Sequence, residues 1–177
     1  MKSYLICLYA FSFITVFSSC EKLVEVPPPI NELVSSSVFT NDPSAVSAVS
    51  GMYASLVYAS FSSTGFSFND LSGTMTDELT SHFEEPVFVE FGNNSLATRN
   101  ESVLGFWSSA YNIIYQANSI IEGLDNNSFV SKSLSDQLSG EALFLRAYSH
   151  LFLVSIFGNV PLATTSDYLA NNVAERS

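Results

Sequence analysis

The chain has 177 residues, with 6 basic side chains against 17 acidic ones and a net charge of −11. So strong an acidic excess leaves no basic patch for nucleic acid and disfavours electrostatic contact with anionic lipid headgroups. Its two cysteines, Cys7 and Cys20, give no disulfide framework, because Cys7 falls in a segment expected to be removed.

The N-terminus carries Lys2, an apolar run from Tyr4 to Phe17, and the small pair Ser18-Ser19 ahead of Cys20. A run this short suits the h-region of a signal peptide better than a bilayer span. Residues 1–19 are therefore expected to be a signal peptide ending in a lipobox, with Cys20 the lipidated first residue of the mature protein. Two or more acyl chains, at roughly 0.8 kcal/mol per buried methylene, would make a stable anchor. Residues 20–40 read as a tether: Pro27-Pro28-Pro29 favours an extended, non-helical backbone, and Ser35-Ser36-Ser37 continues it. The folded body is expected over 41–177.

A first helix is predicted over 42–58. Asp42 serves as N-cap, Pro43 stands at the first helical position, and Ala45, Val49, Met52 and Leu56 make an apolar face. Gly51 within it suggests close packing or a soft spot. Residues 60–100 are the least regular part, rich in Ser, Gly and Asn with Phe interspersed, and a long aromatic loop of this kind commonly binds something or carries small elements. Within it, Pro86 to Phe91 alternates like a short strand, and Gly92-Asn93-Asn94 reads as a turn.

The second helix is predicted over 101–124 from the seam Val103, Trp107, Ala110, Ile114, Ala117, Ile121 and Leu124. The third is predicted over 135–157. It opens on Ser133 and Asp136 in capping-box spacing, closes at Gly158, and is barred from continuing by Pro161. It is apolar nearly all round, with Phe144, Leu151 and Val154 off the main face, as a central buried helix would be. Arg146 and His150 interrupt its run from Ala142 to Phe157, which is no transmembrane span. The last two helices should form an antiparallel hairpin, and the fold class is all-α.

Enzymatic chemistry has little support. Asp77, Glu78, His82, Glu84 and Glu85 form a dense ionisable cluster that fits a solvated loop better than a metal site or acid–base pair. HExxH, Gly-rich phosphate-loop and GxSxG patterns are missing from the sequence. No cofactor is expected. Trp107 lies on the apolar seam and is read as core, and Tyr111 and Tyr115 as packing residues.

Two segments carry a resemblance. One is Trp107-Ser-Ser-Ala-Tyr111-Asn-Ile-Ile-Tyr-Gln-Ala-Asn118-Ser-Ile-Ile-Glu122. The other is Gly140-Glu-Ala-Leu-Phe-Leu-Arg146-Ala-Tyr148, followed by Phe157-Gly-Asn-Val-Pro-Leu162. With the lipobox, Val38-Phe39-Thr40-Asn41-Asp42 and Gly51-Met52-Tyr53, they resemble the N-terminal part of the SusD/RagB family of outer-membrane nutrient-binding lipoproteins. The resemblance implies a mostly helical fold with tetratricopeptide-like helix pairs. It implies a glycan or other nutrient as ligand and a TonB-dependent, SusC-like outer-membrane transporter as partner. Family members are much longer, so the chain is expected to be an incomplete domain with much of its ligand surface beyond residue 177. Within 60–100, Asp77, Asn93, Asn94 and Arg99 are the candidates for hydrogen bonds to sugar hydroxyls, and Phe91 for stacking. A second hypothesis is a lipid-anchored helical-repeat interaction protein with no small-molecule ligand.

Overall fold

A computed structural model of the chain describes residues 38–62 and 67–177. Cys20, the signal segment and the tether up to residue 37 lie outside the described residues. Among the described residues six named helices follow in order: α1 (Asp42–Val57), α2 (Phe68–Met75), α3 (Pro86–Gly92), α4 (Glu101–Leu124), α5 (Lys132–Phe157) and α6 (Tyr168–Asn172). Among the described residues there is no named strand, only a single antiparallel bridge between Pro161 and Arg176. The all-α class expected from sequence is what the chain adopts.

α4 has the predicted bounds and, at 1.5 Å per residue, is roughly 36 Å long. Its pairing with α5 is antiparallel. Ser135 Oγ bonds the carbonyl of Leu124, Arg146 reaches Asn118, and Phe152 and Phe157 meet Phe106 and Trp107, so rising numbers on one helix meet falling numbers on the other. α1 packs across both. Phe106, which lies outside the predicted seam, is the aromatic hub of the core. It is 2% exposed, with Phe68, Phe91 and Phe152 edge-on to it at 5.7, 6.5 and 6.4 Å. The core begins at Phe39, whose ring rests against Gly123 of α4.

Several local expectations are corrected. The N-cap of α1 is Asn41, whose side chain accepts from Ser44 N at 3.0 Å, while Asp42 turns outward to α5. Gly51 makes no close approach, since an added Cβ would meet nothing within 4 Å. The segment 86–91 is helical rather than extended. Pro86 stands at the start of α3 with its φ already suited to a helix, and Phe91 turns inward to the core with Val87, one helical turn before it, half-buried. α5 begins at Lys132 with N-cap Ser131, so Ser133 and Asp136 form no capping box, and Asp136 pairs instead with Lys132. Nor is α5 buried all round: Phe144 is 67% and Leu151 63% exposed, with Leu143, Tyr148 and Val154 beside them. Its hairpin partner and α1 bury the face of Leu138, Ala142, Leu145, Ser149 and Leu153, with Phe152 and Phe157 half-buried at the flank.

Candidate functional site

The sequence candidates in 60–100 are organised by α2 and α3. A capping box starts α2: Asp70 N donates to Ser67 Oγ at 3.4 Å, and Ser67 N to Asp70 Oδ2 at 3.0 Å. Asn94, in the left-handed region, donates from Nδ2 to the Met75 carbonyl at 3.1 Å. That bond brings the turn after α3 beside the end of α2, where Asp77 also has positive φ. Asp77, Asn93, Asn94 and Arg99 are all exposed. Phe91 differs: it is 3% exposed and edge-on to Phe106, so its ring is core and has no face to offer a sugar. Asn100 locks this region to α4. Its Oδ1 caps α4 through Ser102 N and Val103 N, while its Nδ2 donates to the Val87 carbonyl and, at 2.7 Å, to Glu90. The bonds from Asn100 and Ala97 hold the Glu90 carboxyl below its ordinary range.

The ionisable cluster Asp77, Glu78, His82, Glu84, Glu85 is exposed throughout. Among the described residues no group of three or more His, Cys, Asp or Glu side chains could hold a metal ion.

A concavity among the described residues lies elsewhere. A cleft of about 230 Å³ opens between α4 and the segment after α5, walled by Trp107, Tyr111, Tyr115 and Asn118 on one side and by Pro161, Ala163, Thr165 and Asn171 on the other. Spacing of four places the three aromatic rings along one stripe of α4. The facing strap, residues 160–167, is gripped by side chains. Tyr111 Oη donates to the Pro161 carbonyl at 2.8 Å, and Asn118 Nδ2 to those of Ala163 and Thr165 at 3.2 and 2.9 Å. Arg146 Nη1 bonds Asn118 Oδ1 at 2.8 Å and the Thr164 carbonyl at 3.3 Å. Arg146 thus has the partners that a charge in a packed helix requires. Asn171 Nδ2 holds the Thr165 carbonyl at 2.7 Å.

Electrostatics follow this geometry. Burial raises the Glu122 carboxyl, but hydrogen bonds from Ser166 and Thr165 and the charge of Arg146 outweigh it, and the net shift is downward. Burial lowers the His150 imidazole, helped by Arg146 and opposed by its contact with the Ala163 carbonyl. Burial raises the Tyr111 phenol, against the pull of Arg176. Trp107 is half-buried rather than wholly in the core. Phe157 stands edge-on to it at 5.1 Å, and the Arg176 guanidinium lies 5.7 Å from its ring centre. Tyr115, read from sequence as packing, is 55% exposed at the cleft rim.

The helical hairpin carries an aromatic and amide-lined cleft, and comparison with known proteins gives the family of the chain. Residues 35–177 match the family SusD-like_3, described as "Starch-binding associating with outer membrane". The chain is 27% identical over 172 residues to the SusD-like protein P25 of Formosa agariphila, covering 93% of this chain and 32% of that protein. It is 24% identical over 174 residues to a SusD-like protein of Bacteroides ovatus, covering 97% of this chain and 30% of that one. This chain belongs to the SusD-like family, and it spans about a third of the length of these curated relatives. No solved structure matches it.

Proposed function

We propose that the chain belongs to a lipid-anchored outer-membrane protein that binds glycans or other nutrients and passes them to a TonB-dependent, SusC-like transporter, with no catalytic step of its own. The observation that carries this reading is the match over 35–177 to a family described as starch-binding and outer-membrane associating. Cys20 fits as the attachment point. Among the described residues no helix is long and apolar enough to cross a membrane, so the proposed membrane link is the covalent one. Asp77, Asn93, Asn94 and Arg99 are kept as polar contacts to sugar hydroxyls on the exposed α2–α3 end, without Phe91.

Native electrophoresis of the folded chain through gels containing soluble starch or other polysaccharides tests the reading. Retardation in at least one gel is expected, and unchanged mobility in all of them counts against it. The exposed stripe of Phe144, Tyr148 and Leu151 on α5 favours the second reading, an interaction protein. In that case mobility stays unchanged while the chain associates through α5.

A further inference from the structure

We propose that the cleft between α4 and the strap is a subsite for one uncharged sugar ring, with Tyr115 as its stacking platform. This rests on the glycan-binding reading and names the place and chemistry of one contact.

Size comes first. About 230 Å³ exceeds the roughly 150 Å³ cavity that admits a benzene ring and falls short of the roughly 300–1,000 Å³ typical for a drug-sized ligand. One six-membered ring fits, and a longer segment must project from the mouth. Charge comes second. No carboxylate, ammonium or guanidinium is among the lining residues; the nearest charged groups, Arg176 on Trp107, Arg146 on Asn118 and Glu122 on Thr165, are engaged with the walls, so the lining itself suits an uncharged ring. The walls come third. Aromatic faces carry negative electrostatic potential and attract the C–H bonds of a sugar's apolar face, while the sugar's edge needs polar partners.

The commitments of the lining groups single out Tyr115. Trp107 is engaged by Arg176 and by Phe157. The Tyr111 hydroxyl donates to Pro161, and the Asn118 amide is spent on Ala163, Thr165 and Arg146. These groups form a rigid floor, which lowers the ordering cost of binding. Tyr115 keeps an exposed ring, and its hydroxyl has no hydrogen-bond partner among the described residues.

The test uses a built-in reporter, because Trp107 is the chain's single tryptophan. The chain is titrated with maltoheptaose, cellohexaose, laminarihexaose and mannohexaose while Trp107 emission is followed, alongside gel retardation in the parent polysaccharides. A saturable emission change is expected with at least one probe. It should weaken tenfold or more in Tyr115→Ala and be largely kept in Tyr115→Phe. Retardation without an emission change, or an emission change that Tyr115→Ala leaves intact, overturns the subsite and spares the glycan-binding reading. Neither retardation nor an emission change with any probe overturns both.

Discussion

Asp42 and Ser131 are 89 positions apart in sequence and joined by two hydrogen bonds: Ser131 N donates to Asp42 Oδ1 at 2.7 Å, and Ser131 Oγ to Oδ2 at 2.8 Å. A capping box would supply such an acceptor from within the helix. Here the first turn of α1 supplies it to the N-cap of α5. These two bonds hold the Asp42 carboxyl below its ordinary value of 3.8.

Asp42→Ala should therefore lower the melting temperature at neutral pH, with Asp42→Asn intermediate. The folded-state value is depressed, so the contribution is fully present above about 3.8 and is lost as pH falls from there through the folded value. Melts of wild type and Asp42→Ala should differ at pH 7 and converge in strong acid. A gap independent of pH would remove the carboxylate from the explanation.

Two helical glycines should respond to alanine with opposite signs. Gly51→Ala adds a methyl into open space and should stabilise by about 0.5–1 kcal/mol through helix propensity. At Gly123 the new Cβ would run into the Phe39 ring, and such overpacking should cost about 1–3 kcal/mol. Chemical denaturation of both variants checks the signs. Adding Phe39→Ala to Gly123→Ala should show strong coupling, and simple additivity would mean the ring moves aside freely.

Phe106→Ala should cost about 3–5 kcal/mol, the range for a fully buried ring. Trp107→Ala should cost less, because its ring is half-buried and partly faces the cleft. Urea melts giving the reverse order would misplace the aromatic hub.

His150 provides a second pH dependence with its own window. Its folded value is lowered, chiefly by burial, so the neutral ring is favoured in the native state. Stability should be flat above about 6.5 and fall as pH drops below it, because the unfolded chain takes up the proton first. Among the described residues His150 Nδ1 is buried without a partner, so the extra proton would find no acceptor there. Melting between pH 8 and 5.5 should show the decline, and His150→Gln should flatten it.

Cys20→Ala should yield a chain without acyl mass that leaves the membrane fraction. Intact mass spectrometry of the wild type should find diacylglycerol and a further acyl chain on a mature N-terminus at Cys20. An unacylated mature N-terminus at another position would dismiss the proposed anchor.

The bounds of α4 are legible because its apolar seam, Val103 to Leu124, persists over about six turns. α1 was displaced by one residue at its cap, since Asn41 and Asp42 are both good capping types. What separates them is the long-range demand of Ser131, which no local pattern carries. The sequence of α3 is ambiguous because Val87, Val89 and Phe91 satisfy a period of two while Val87 and Phe91 also satisfy a helical turn. Pro86 was the usable signal for the second reading. The Ser67–Asp70 capping box was also visible in sequence. The sequence puts Trp107, Tyr111 and Tyr115 on one helix but assigns them to core and packing, so the aromatic stripe of the cleft is a finding of the structure. So is its opposite wall, because Asn118 and Arg146 select the strap across 18 to 47 positions of chain.

Tyr111, Asn118 and Arg146 hold the strap by its carbonyl oxygens, a group common to every residue type, whereas Glu122 holds it by the hydroxyls of Thr165 and Ser166. Tyr111, Asn118 and Arg146 therefore recognise a path rather than a sequence. Exposed positions such as Thr164 can drift while the three donors remain fixed, so the outer wall of the cleft can change its side chains, and with them its selectivity, without disturbing the frame that supports it.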